Sequence, residues 1–153
     1  MDLNFQFTVL QTTRENIRKA LEGFSIEQLN KTPEGYNNNL IWHYGHVIVT
    51  QQLLCYKLSN TPMYVGENMV NSYRKGSKPV EFISAEDYQV LQKLDEQLCK
   101  QLKEDYANKT FGEYKSYTTS YNITLNSVED GIAFNNVHEG LHLGNVLSMR
   151  RLV

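Results

Sequence analysis

Hydrophobic residues recur at the three- and four-residue spacing of α-helices in four long segments of the chain. The first segment covers about residues 3–21, where the early residues also alternate as in a strand, but the length favours a helix. Gly23 is placed to end this helix. Residues 25–28 then have the capping-box sequence of a short helical turn. A long helix and a short turn are therefore predicted before residue 32.

The second long segment has the clearest helical pattern. Asn39 is a good N-cap, and an apolar stripe runs from there through about five turns to Leu58. The residues from Ser59 to Ser84 are rich in Gly, Asn, Ser and Tyr and have no clean period, which predicts a long connection. A connection of about 25 residues can travel the length of a bundle, so the helices on either side can run parallel.

Two further helices are predicted in the second half of the chain. Residues 84–87 form a capping box, and apolar residues then recur at helical spacing to about Asn108. Lys115 to Thr124 favours extended structure or a short β-like pairing. An N-cap at residues 126–127 begins the last helix, which continues to the C-terminus. Four helices of this length predict an all-α four-helix bundle.

Composition and charge narrow the class of protein. With 153 residues, 41% of them hydrophobic, the chain is expected to form one domain over residues 1–153. The net charge of −2 and the absence of a Lys/Arg cluster argue against nucleic acid as a partner. No apolar stretch approaches the ~20 residues of a membrane span, and the N-terminus lacks the features of a signal peptide. We therefore expect a cytoplasmic protein without a membrane partner.

The two cysteines and four histidines are distributed differently. Cys55 and Cys99 lie in helical segments without metal-type spacing, so small buried or half-buried thiols are expected. The histidines fall in only two short windows, 43–46 and 138–142. Residues four apart on a helix share one face, so the second window can direct two imidazoles at one ion.

A third ligand from the first window would complete a metal site with open positions. An exposed or hydrogen-bonded histidine pair is the alternative explanation for residues 138–142. Periodicity does not decide which histidine of the first window joins the pair. At 100° per residue His43 lies nearer the centre of the apolar stripe and His46 at its edge, which slightly favours His43.

A resemblance bears on this choice. The stretch from Asn39 to His46, with Trp42 and a Gly-His pair, resembles the second-helix signature of the DinB/YfiT-like metal-dependent enzymes. The run from His138 to Asn145 is similar to the family segment H-x-x-x-H-x-G-Q. The order and spacing of the helices agree with the family over nearly the whole chain. Asn145 stands where Gln is common, and His43 occupies a place that is usually apolar.

The resemblance implies a bundle whose helices run up-down-down-up, with a long crossover between the second and third. It implies one divalent metal, zinc or nickel being favoured, bound by His46, His138 and His142. His43 is then a residue at the edge of the core or behind the ligands. Family members include transferases that use low-molecular-weight thiols and also hydrolases, so a small-molecule substrate is expected. Homodimers are common in the family and are permitted here.

Other residues near these histidines are candidates for supporting roles. Glu139 makes the segment read H-E-x-x-H, the zinc-protease signature with Glu as general base. A protease is disfavoured because the motif is short and no later histidine follows. Glu139 is thus either a catalytic acid or base or a solvated surface carboxylate.

Four more residues are expected near the site. Asn135 and Asn145 flank the histidine pair on one face, and Trp42 and Thr50 lie one turn either side of His46. They are candidates for binding substrate or supporting ligands, or else for ordinary interhelical packing. The crossover residues Tyr73, Arg74, Lys75 and Lys78 can cover the mouth of a site, or form a solvated loop. A non-catalytic metal- or ligand-binding module related to stress is the alternative function.

Overall fold

The computed structural model describes residues 2–153, which are predominantly helical. The helices are α1 (Asn4–Leu21), α2 (Ile26–Asn30), α3 (Leu40–Gln51), α4 (Glu67–Tyr73), α5 (Ala85–Ala107) and α6 (Val128–Met149). A π-helical segment, Gln52–Lys57, directly continues α3. The strands are β1 (Tyr117–Thr118) and β2 (Thr124–Leu125), which pair antiparallel. The expected all-α class is confirmed, and so is the short β-like pairing before the last helix.

The predicted helix boundaries follow from local hydrogen bonds. Ser25 and Gln28 form a reciprocal capping box at α2. The Asn39 side chain accepts from the Trp42 amide at the start of α3, and Ser84 and Ser127 cap α5 and α6 in the same way. Gly23 follows α1 with φ +81°, a left-handed backbone conformation that cannot continue the helix. The capping residues read from the sequence therefore begin and end these helices.

The four long helices α1, α3, α5 and α6 enclose the hydrophobic core. α1 packs against α5 and α6, and α3 packs against the same two helices from the other side. α3 is buried almost all round, with Tyr44, Val47, Ile48 and Val49 at 0% exposure. Among residues 2–153, every helix is too short or too polar to span a bilayer.

Two features of the chain differ from the sequence-based prediction. The second long helix was expected to be α-helical to Leu58, but from Gln52 it widens into the π form, with Leu58 N–H donating to the Leu53 carbonyl. The connection from 59 to 84 contains α4, which packs on α3. With seven residues, α4 is too short to show a clear helical period in the sequence.

A buried ion-pair network joins the four long helices. Arg14 on α1 donates from Nε and Nη2 to the Glu139 carboxylate on α6, at 2.6 and 2.8 Å. Its Nη1 donates to Asp95 on α5 at 2.5 Å, and Nη2 also donates to the Val47 carbonyl on α3. Arg14, Asp95 and Glu139 all have 0% exposure, and Arg18 forms a second ion pair with Asp95. One guanidinium therefore bonds to each of the other three long helices.

Candidate metal centre

Three histidines from two helices converge where α3 packs on α6. His46 lies on α3, and His138 and His142 lie one turn apart on α6. One possible ligand atom from each lies within 4.8 Å of the other two. His46 Nε2 and His138 Nε2 are 3.1 Å apart. The structure thus brings together the three residues that the family resemblance selected, and places His46 rather than His43 in the cluster.

The His46 ring is held in one tautomer by the backbone of α4. Its Nδ1 lies 2.6 Å from the Tyr73 carbonyl oxygen, which can only accept, so Nδ1 carries the proton. Nε2 therefore has a free lone pair, which faces His138 and the Thr50 hydroxyl at 3.4 Å. A histidine whose second nitrogen bonds to a carbonyl is the usual arrangement of a metal ligand.

Gly45 makes this contact with Tyr73 possible. A Cβ at position 45 would lie 2.4 Å from the nearest atom of the Tyr73 ring, a distance that no side chain tolerates. The missing side chain lets α4 lie directly on α3, which brings the Tyr73 carbonyl to His46. The Gly-His pair of the sequence therefore has a structural reason: the glycine admits the residue that orients the histidine.

We expect Gly45→Ala to destabilise the protein by about 1–3 kcal/mol, because the Tyr73 ring must move. The displaced carbonyl also releases His46, so metal affinity should fall. The measurements are urea unfolding and competition for metal with a chelator. Gly144→Ala on α6 is the matched control, since its Cβ meets nothing within 4 Å. Equal stability of the two variants would contradict the role given to Gly45.

His142 is supported by His43, the histidine outside the cluster. The two Nδ1 atoms lie 2.8 Å apart, so one donates to the other. When His142 donates, its Nε2 keeps a lone pair, which is the form that binds metal. His43 is only 7% exposed and lies outside the three-histidine cluster.

Replacing His43 with Phe keeps a planar ring in the core but removes the partner of His142. We expect metal affinity to fall by about 10–100-fold, the usual effect of losing a group that orients a ligand. The thermal unfolding midpoint of the metal-free protein is the control for folding. Unchanged metal affinity in a folded His43→Phe variant would show that His142 needs no such partner.

Trp42 forms one wall of the histidine cluster. Its ring stacks on His46 with centroids 4.5 Å apart and an interplanar angle of 12°. The indole Nε1 donates to the Ser77 hydroxyl in the crossover. The stacking restricts rotation of the His46 ring, and the hydrogen bond connects this wall to the segment after α4.

Burial keeps the imidazoles neutral. Desolvation is the largest cause, and neighbouring histidines add to it, lowering the pKa of His138 to about 3 and that of His142 to about 2. Desolvation also lowers the pKa of His46, against the bond to Tyr73. Neutral imidazole is the form that donates a lone pair to a metal ion, so the rings need no deprotonation near neutral pH.

The donor set fits a cation. The His46 Nε2 lone pair lies only 3.1 Å from His138 Nε2, a separation that a shared proton or cation stabilises. Three nitrogen ligands suit zinc and nickel and leave coordination positions open. His138 is the least constrained of the three rings, since its buried Nδ1 has no hydrogen-bond partner among residues 2–153.

A cavity of about 270 Å³ adjoins the cluster, with His46, His138 and Thr50 in its lining. Thr50 therefore lies where the sequence placed it, beside the histidines. Of the crossover residues, Lys75 lines this cavity and Tyr73 is buried against α3. Arg74 and Lys78 do not line the cavity. The cluster is thus open on one side to a space the size of a small ligand.

Glu139 lies in the ion-pair network. Both of its carboxylate oxygens accept from Arg14, and one also accepts from the Asn135 amide at 2.7 Å. Burial raises its pKa, while Arg14 and Asn135 work in the opposite direction. The alternative of a solvated surface carboxylate is wrong, because Glu139 has 0% exposure. A carboxylate held in this way connects α6 to α1 and is not free as the general base of a protease, and its catalytic role stays a prediction.

The two asparagines differ in surroundings. Asn135 is buried and bonds to Glu139 rather than to a histidine. Asn145 is half-buried, and its side chain makes no hydrogen bond within residues 2–153. A role for Asn145 in binding substrate stays a prediction. The cysteines are as expected: Cys55 is buried and Cys99 half-buried, and burial raises the pKa of Cys99 to about 12.

Sequence reasoning missed the structural roles of three residues. Gly45 and the Tyr73 carbonyl act through a contact between segments 27 residues apart, which no local pattern reveals. Arg14 did leave a signal, because it occupies the apolar stripe of α1 between Leu10 and Ile17. A charge in such a position requires a buried partner of opposite sign.

A family profile described as the DinB superfamily matches residues 10–146 of the chain. The match covers α3 and α5 entirely, nearly all of α6 and most of α1. It includes all three clustered histidines. No curated protein matches the chain.

Proposed function

The chain belongs to the DinB superfamily, and from its cluster of three imidazoles we propose that it is a metal-dependent enzyme acting on a small molecule. The proposed ligands are His46, His138 and His142, and the proposed metal is zinc or nickel. One observation carries the enzymatic proposal: two of the three ligands line the cavity of about 270 Å³. A purely structural metal site has a closed shell of protein ligands, whereas this cluster faces a space for substrate.

The bound ion would lower the pKa of a thiol or water and so supply a nucleophile near neutral pH. The residues of the chain hold the rings in place: Tyr73 and Trp42 orient His46, and His43 orients His142. The thiols of the chain itself do not supply the nucleophile, because both cysteines lie outside the cluster and burial raises their pKa values. An external low-molecular-weight thiol is the favoured nucleophile, which makes a thiol transferase the first candidate and a hydrolase the second.

The helix directions proposed are up-down-down-up. Contacts of α3 and its π-helical continuation with α5 advance along both helices together, from Tyr44 with Asp95 to Tyr56 with Asp105. Contacts between α3 and α6 run in opposite senses, since His43 meets His142 and His46 meets His138. These pairs support parallel second and third long helices, joined by the long crossover.

The test uses protein purified without chelator, then loaded with cobalt in place of the native ion. Addition of 2-mercaptoethanol should give the sulfur-to-cobalt absorption of a coordinated thiolate, and the zinc or nickel form should conjugate that thiol to an aryl chloride. A site that takes up about one equivalent of metal but coordinates neither thiol nor exchangeable water would favour the non-catalytic module.

A further inference from the structure

The cavity beside the three histidines is lined, within residues 2–153, by basic side chains but by no acidic ones. It is formed by the end of α3, the π-helical segment, the first half of α6, the segment after α4 and the β-hairpin. Among the described residues that line it, none is acidic, and two are lysines, Lys57 and Lys75. Both lysines are exposed, and neither makes a salt bridge with any residue from 2 to 153. Two solvated ammonium groups therefore stand at the open side of one small cavity, free to meet an anion.

The remaining lining separates into an apolar and a hydroxyl part. Leu53, Leu58 and Phe134 supply apolar wall, and Thr119 and Ser120 supply polar groups from the hairpin turn. At about 30 Å³ for each water, the volume corresponds to about nine water molecules, the size of a small organic molecule. The cavity suits a compact ligand with an apolar body rather than a peptide or a nucleic acid.

The π-helical segment contributes to this arrangement. The bond from Leu58 N–H to the Leu53 carbonyl spans five residues, so both side chains face the cavity together with Lys57. The widened turn also leaves the Leu54 carbonyl free to accept from the Tyr114 hydroxyl at 3.0 Å. π-Helical turns are rare, and they are frequently found at functional sites.

From these observations we propose that the cavity binds a small organic anion, its acidic group at Lys57 and Lys75 and its reacting end at His46 and His138. The ligand lies along the apolar wall, and the lysines donate charge-assisted hydrogen bonds to a carboxylate or phosphate. This deepens the proposed function by naming a substrate class, and it rests on that function for the reacting end only. Lys57 and Lys75 act in binding and selectivity and take no part in bond-making.

The test compares three probes of similar size: phenylacetate, its neutral amide phenylacetamide, and phenyl phosphate. Binding is measured by calorimetric titration on the full chain, with and without bound zinc. Phenylacetate or phenyl phosphate should bind at least about tenfold more tightly than the amide, and the preference between them identifies the acidic group. Affinity for the anion should fall as ionic strength rises. Equal binding of anion and amide would overturn the proposal.

Substitution of the lysines separates the cavity from the metal. The Lys57→Met/Lys75→Met variant should lose about tenfold in affinity for the anion in both metal states, with the amide unaffected. Lys93→Met is the matched control, because Lys93 of α5 is equally exposed but does not line the cavity. Undiminished anion binding in the double variant would show that the anion binds elsewhere, for example directly to zinc.

Metal content measured on the same samples distinguishes the two proposals. Anion-selective binding that depends on the lysines, in a protein that takes up no metal, would overturn the metalloenzyme and leave the anion site standing. Stoichiometric metal without anion selectivity would overturn the anion site alone.

Discussion

Replacing His142 with alanine is expected to reduce bound metal from about one equivalent to a trace and to abolish any thiol conjugation with it. Removing one of three protein ligands should weaken metal binding more than removing a group that only orients a ligand. Metal affinity should therefore fall by more than about 100-fold. His46→Ala and His138→Ala should behave in the same way. The measurement is elemental analysis of protein purified without chelator, followed by back-titration with zinc and nickel.

His43→Ala is the matched control for these substitutions, because it removes a buried imidazole that lies outside the cluster. We expect this variant to keep metal, though with lower affinity. Stoichiometric metal in His142→Ala would show that this histidine is not a ligand. If the wild-type protein takes up neither zinc nor nickel, the four histidines are an internal hydrogen-bonded group. A non-catalytic role is then the better interpretation.

Replacing Arg14 with methionine is expected to lower the free energy of unfolding by about 3–5 kcal/mol. The substitution fills a similar volume but leaves Glu139 without a cation, and leaves Asp95 with Arg18 alone. Removing one partner of a buried ion pair strands a desolvated charge, which costs far more than the intact pair contributes. Since domains of this size have about 5–15 kcal/mol in total, the variant should unfold at much lower urea concentration.

A second substitution distinguishes the stranded charge from lost packing. In Arg14→Met/Glu139→Gln a neutral amide replaces the carboxylate, so part of the lost stability should return, and the two substitutions should be strongly non-additive. Additive effects, or a loss below about 1 kcal/mol for Arg14→Met, would contradict the role assigned to this network. Metal content of the folded fraction should stay near one equivalent, because Arg14 contacts no histidine of the cluster.

The helices and their ends were largely predictable from the sequence, and so was the histidine pair. Caps such as Asn39 and Ser84 bond to amides three residues away, and apolar stripes reflect the helical period, so both are local properties. The spacing of His138 and His142 places them on one face for the same reason. Membership of the DinB superfamily is confirmed, whereas the homodimer that the resemblance permits stays untested.

Contacts between segments that are distant in sequence were decided by the tertiary structure. Periodicity slightly favoured His43 as the third histidine, but the packing of α3 on α6 brings His46 into the cluster and places His43 behind His142. The sequence left open a solvated surface position for Glu139, but the carboxylate is buried and pairs with Arg14, 125 residues earlier.

The same holds for the cavity, where Lys57 and Lys75 become neighbours of the histidines only through the π-helical segment and the crossover. The chain by itself determined four helices and two histidine windows, because hydrogen bonding and amphipathicity act within a few turns. The tertiary structure decided which side chains converge, because burial, close approach at Gly45 and charge pairing depend on the packing of whole helices against one another.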